Sequence, residues 1–132
     1  MALGYADSSV SAYREVGRRS EIAGASPHRL VQMLFDGALG NLEKARLAME
    51  ENDIEARGRA INLAVDILVE LRVSLNHEKG GEISTNLDLL YQHMQGRLME
   101  IHRHGGPEKL REVVALLAGL SESWAAIKDQ VK

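Results

Sequence analysis

The chain has 132 residues, 45% hydrophobic and 27% charged with only two prolines, the balance of one folded globular domain and not of a disordered or collagen-like chain. It has no cysteine, which excludes a disulfide framework, a thiol nucleophile and any Cys-based zinc or iron–sulfur site. The formal net charge of -3 is spread in mixed signs with no isolated Lys/Arg cluster, so nucleic acid is not an expected partner.

Residues 1–25 form the irregular part. Gly4, Gly17 and Gly24 alternate with Ser and Ala, and Val10, Tyr13 and Val16 give at most one amphipathic turn. This stretch is expected to be a partly mobile N-terminal cap segment. Met1 to Val10 has neither the basic nor the apolar region of a signal peptide. No apolar run approaches the roughly 20 residues that span a bilayer, so no membrane insertion is expected and the protein is read as cytoplasmic.

Residues 26–132 carry four helical patterns, expected near 27–50, 53–77, 84–104 and 107–130. Aromatics make up only 4%, so the core falls to Leu, Ile, Val, Met and Ala, and of these Ala, Leu and Met favour helix. Ser26-Pro27 is a start signal, a capping hydroxyl followed by a proline that has no bond to lose at the first helical position. The stripe behind it is Leu30, Val31, Leu34, Phe35, Ala38, Leu39, Leu42, Ala45 and Met49. Asn52 and Glu55 make a capping-box-like start for the second helix, whose stripe is Ile61, Ala64, Leu68, Leu71 and Leu75. Gly80-Gly81 breaks the chain, and the third helix is expected to begin near Ser84, with Leu87, Leu90, Tyr91, Met94, Leu98 and Ile101 inward and Gly96 inside it. After Gly105-Gly106-Pro107 the fourth helix reads Leu110, Val113, Leu117, Leu120, Trp124, Ile127 and Val131, spaced as in a bundle seam. Short connections favour antiparallel neighbours. The expected fold is all-α, an antiparallel four-helix bundle.

Catalytic chemistry is hard to find in this pattern. His102 and His104 are two residues apart and diverge around a helix, so they cannot share a metal. The helical histidines read as solvated surface groups. His93 with Gly96 is reminiscent of a phosphotransfer histidine, but the glycine is one residue early and the lysine is missing. Acidic residues lie along solvent faces near basic ones and form no acid/base dyad. No catalytic residue, metal site or cofactor is expected.

What stands out is apolar excess outside the stripes: Met33 and Leu47 on the first helix, Val65, Val69 and Val73 on the second, Leu89 and Met99 on the third. Spacing alone leaves two readings open. They are wide core stripes under the N-terminal segment, or they are grooves that receive helices of a partner, for which adaptable methionines are suited.

The wording of the chain adds to its pattern. Ala25-Ser26-Pro27-His28-Arg29-Leu30-Val31-Gln32-Met33-Leu34-Phe35-Asp36-Gly37-Ala38 resembles the signature of the FliS family of flagellin-specific export chaperones. The resemblance continues through Leu71-Arg72-Val73-Ser74-Leu75, Glu78-Lys79-Gly80-Gly81-Glu82-Ile83, Asn86-Leu87 and Leu90-Tyr91 to Trp124, and Tyr13 matches a tyrosine upstream of the signature. It implies a four-helix bundle behind an N-terminal cap. It also implies cytoplasmic binding of the disordered C-terminal segment of flagellin in apolar grooves, which blocks premature polymerisation and keeps the subunit ready for the flagellar type III export gate. On that reading the partner-binding residues are Tyr13, Met33, Val65, Val69, Val73, Leu87, Tyr91 and Met94, with Asn86 as a polar anchor. The departures from the family pattern are Asn76 in place of Asp, Gly96 in place of one of two arginines, and Ile101-His102 in place of Ala-Asn.

Overall fold

Ser26 opens the first helix, α1 (Pro27–Glu50), with its Oγ accepting the backbone N–H of Arg29 at 3.2 Å. That bond satisfies one of the four N–H groups left over at a helix start. The computed structural model describes residues 26–127, so the expected cap segment and Tyr13 lie outside the described residues.

α1 ends differently from the expected capping box. Asn52 takes a left-handed backbone, φ 56°, and its N–H bonds the Met49 carbonyl. Asparagine tolerates that conformation better than most residues, and using it for the reversal removes Asn52 as a cap. The N-cap of α2 (Ile54–Val73) is instead Asp53, whose Oδ1 accepts the Ala56 N–H at 3.0 Å. α2 stops at Val73, where the Ser74 hydroxyl donates to the Leu71 carbonyl at 2.7 Å, and Leu75 packs against the core from the turn.

Asn76 then caps α3 (His77–His104), so this helix starts well before Ser84. Asn and Asp are equivalent N-caps, so the departure at Asn76 keeps the local structure. The expected break is still present inside the helix, because Gly81 has φ 48° and ψ -120°. A side chain at Gly80 would meet the Ser84 hydroxyl, which is buried and donates to the Asn76 carbonyl at 2.9 Å. The two glycines thus let one capped turn fold back onto the body of α3. Gly105 and Gly106, both at positive φ, lead into α4 (Pro107–Ala126).

α1 packs on α2 and α4, and α3 packs on the same two helices, which closes an antiparallel ring in chain order. Its centre is filled by Phe35 and Leu42 from α1, Ile61 and Leu68 from α2, Met94, Leu98 and Ile101 from α3, and Leu110 and Leu117 from α4. Ile67 and Ala60 join the expected α2 stripe, whereas Leu30 is only half-buried. Among the described residues all secondary structure is helical, and the fold is the all-α bundle expected from the sequence.

The ring is latched where its first and last helices meet. The His28 and Trp124 rings stack with centroids 4.7 Å apart and 6° between planes. Trp124 Nε1 donates to the His28 carbonyl at 2.9 Å, and His28 Nε2 lies 2.6 Å from the Trp124 carbonyl. Gln32 adds a bond to the Ser121 hydroxyl at 2.7 Å. His28 is therefore a buried structural group. His102 also departs from the solvated reading. Its ring lies so close to Gly58 that a Cβ there would approach Cε1 to 2.7 Å. His93 and His104 are exposed.

Two outcomes follow. Gly58→Ala gains helix propensity of up to ~1 kcal/mol but overpacks the His102 ring by ~1–3 kcal/mol. It should lower stability in chemical denaturation, and adding His102→Ala should turn the same change stabilising. Trp124→Phe removes one hydrogen bond and should cost about 1 kcal/mol. His28→Ala combined with it should be less than additive, because both changes remove the same latch.

Candidate functional site

The expected apolar ridge of α2 turns progressively outward. Each step of four residues rotates ~40° around a helix, and burial falls in the same order. Val65 is half-buried against the core, Val69 is 41% exposed and Val73 is 68% exposed. The ridge has this form because the inner side of α2 is occupied by Ile61, Ala64, Leu68 and Leu71.

Arg72, beside this ridge, crosses to α3. Its Nε donates to Asp88 Oδ1 at 2.6 Å and its Nη1 to Gln95 Oε1 at 3.3 Å, while Gln92 donates to the other Asp88 oxygen at 2.9 Å. The hydrogen bond from Arg72 holds the Asp88 carboxyl below the usual carboxylate range, with a smaller contribution from Gln92. The Asp88 carboxyl is ionised at neutral pH, and its bond from Arg72 ties α2 to α3 beside the exposed valines. Met99, three turns after Asp88 on the same side of α3, is 38% exposed, and Leu89 is 58% exposed. This outer α2–α3 face combines apolar side chains with a fixed polar strip, a surface suited to an amphipathic segment.

The other expected site residues are distributed more widely. Tyr91 and Met94 are in the core at 3% and 0% exposure, and burial pushes the Tyr91 phenol up to about 12. Neither presents a side chain to a partner surface. Leu87 is half-buried and packs on the core. Asn86 is exposed, but two residues from Asp88 it points to the far side of α3. Met33 is half-buried on α1, a helix that packs on α2 and α4 and not on the outer α2–α3 face. Only Val65, Val69 and Val73 form one continuous feature.

Sequence reasoning missed the Arg72–Asp88–Gln95 network and the exposed Ile54 and Ile83, at 67% and 70%. Ile83 could have been flagged as an apolar residue beside the Gly80-Gly81 break. The register that pairs Arg72 with Asp88 depends on the folded-back turn at 77–80, which spacing did not reveal.

Among the described residues no three His, Cys, Asp or Glu gather to hold a metal ion. Near His93, the Arg97 guanidinium is taken up by Glu100 and Glu112, each at 3.5 Å. Gly96, between them, is exposed with open space over it, so the missing arginine leaves no packing defect. No helix of the described residues is long and apolar enough to cross a membrane.

The comparisons with known proteins agree with each other. The family model described as flagellar protein FliS matches residues 9–131. The flagellar secretion chaperone FliS of Salmonella typhimurium is 41% identical over 127 residues, covering 96% of this chain and 94% of the relative. The flagellar secretion chaperone FliSB of Pseudomonas aeruginosa is 39% identical over 93% of this chain and 98% of its own length. The FliS of Vibrio cholerae is 34% identical over 92% and 90%. With a family model spanning nearly the whole sequence and relatives of matching length, the chain belongs to the FliS family of flagellar secretion chaperones.

Proposed function

We infer that this chain is a cytoplasmic export chaperone that binds the disordered C-terminal segment of flagellin, prevents its premature polymerisation and keeps it competent for the flagellar type III export gate. The observation that carries the reading is the Val65–Val69–Val73 ridge, an exposed apolar line on a bundle whose core is already filled. The relatives' function as flagellar secretion chaperones supports the flagellar assignment.

The physics of such a complex is coherent. A disordered segment covers a large surface as it folds, and the entropy lost in ordering limits its affinity per unit area. A helix formed in the segment satisfies its own backbone and lays its apolar side on the valines. Its polar groups meet the Arg72–Asp88 strip, which is prearranged and needs no reordering. Tyr91 and Met94 support this face from the core, and Leu87 supports it from the core margin. Met33 and Asn86, on other faces, are contacts for a segment long enough to wrap around the bundle. Tyr13 belongs to a cap that covers an apolar groove before flagellin arrives. Binding on this pattern requires no nucleotide.

Val69→Asp should reduce flagellin co-purification at least a hundredfold while circular dichroism and melting stay within the range of surface changes. Retained binding would remove α2 from the site. Hydrogen exchange should show residues 1–25 losing protection when flagellin binds. Equal or greater protection in the complex would rule out a displaced cap.

A further inference from the structure

The edge of the bundle opposite the α2–α3 face carries a concave surface. Between the C-terminal half of α1 and the N-terminal half of α4 lies a groove of about 590 Å³. Its floor is Leu42, Met49, Leu110 and Val114, with Pro107 at one end and Ala115 on the rim. Leu42 and Leu110 are core residues at 0% and 2% exposure, so the floor is backed by the packed interior and is not a loose surface depression.

The rims carry opposite charge. On α1, Arg46 is shared between two carboxylates, with Nη1 2.6 Å from Glu50 and Nε 3.0 Å from Glu43 Oε2. The hydrogen bond from Arg46 holds the Glu43 carboxyl below its usual range. Two carboxylates around one guanidinium leave that rim net negative. On α4, Arg111 lines the groove, is exposed and has no ion-pair partner among the described residues.

These features select the shape of an occupant. Both walls are helices whose backbone groups are already bonded, and the floor is hydrocarbon. An extended segment would bury N–H and C=O groups without partners, at ~1–3 kcal/mol each, whereas a helix satisfies them internally. Leu42 to Met49 spans two helical turns, ~10 Å. A second copy presenting the same groove would set hollow against hollow and leave the volume unfilled.

We propose that the α1–α4 groove seats a two-turn amphipathic helix of a second partner protein, distinct from the flagellin segment assigned to the α2–α3 face. That helix carries apolar residues at i, i+4 and i+7 along the Met49 and Val114 side of the floor, a basic flank along Glu43 and Glu50, and an acidic residue opposite Arg111. The chaperone thereby holds two helical ligands on opposite edges at once.

The test uses the full chain, isotope-labelled, titrated with a designed helical peptide that has leucines at this spacing, lysines on one flank and glutamates on the other. Amide shifts should concentrate at 42–50 and 107–115. Peptides with two acidic or two basic flanks should bind at least tenfold more weakly. Ala115→Glu, which fills the exposed rim, should abolish binding with unchanged circular dichroism, and Arg111→Glu should weaken it at least tenfold. A flagellin C-terminal peptide added afterwards should leave the groove shifts in place. Indifference to flank charge, shifts centred on Val65–Val73, displacement by the flagellin peptide, or a dimer of the chain that Ala115→Glu dissociates would each overturn the proposal. Groove binding by a chain that ignores the flagellin peptide would support the groove while refuting the α2–α3 reading.

Discussion

The close approach of α1 and α2 is the constraint on which the rest of the bundle depends. Their contact is the most extensive in the fold. It runs along small side chains, with Ala38, Ala45 and Ala48 on one helix and Ala60 and Ala64 on the other, all buried. Small residues let two helix backbones come near the lower end of the usual 8–10 Å spacing. The large core groups then stand over this pair as Phe35, Leu42, Ile61, Ile67 and Leu68, and α3 and α4 cover them.

This arrangement explains why apolar side chains remain outside. Once the inner side of α2 faces α1 and the core, a ridge at four-residue spacing must drift outward, which carries Val69 and Val73 past the cover that α3 provides. α3 is the least buried helix for its length, with five buried residues in 28. Much of its attachment is polar: Arg72 to Asp88 on one side, and Arg97 to Glu112 with Lys109 to Glu100 on the other. The approach of Lys109 is the main reason the Glu100 carboxyl lies below its usual range. The more exposed pairs to α4 individually contribute little, so on that side α3 is held by weak ties over a modest apolar seam. A wall of this kind is held less firmly than the α1–α2 pair.

The ring order puts two differently shaped surfaces on opposite edges of the bundle. The α2–α3 edge is a convex ridge with a charged strip, and the α1–α4 edge is a hollow with charged rims. The stacked His28–Trp124 latch ties together the two helices that form the hollow.

Much of this was legible in the chain itself. The three-and-four spacing of leucines and the Ser26-Pro27 and glycine-pair signals determined four helices and their order, because helical periodicity and end chemistry are local properties. The outward valine ridge was legible for the same reason, and the signature residues identified the family. Other features depended on contacts between helices. Periodicity placed Tyr91 and Met94 in the inward stripe, where the structure has them, but it could not decide how much of either side chain a partner could still reach. Nor could it pair Arg72 with Asp88, because that register is set by the folded-back turn at Gly80-Gly81. The latch between His28 and Trp124 and the groove beside Arg46 join the two ends of the chain. Only packing in three dimensions brings those residues together, so only the tertiary structure decided them.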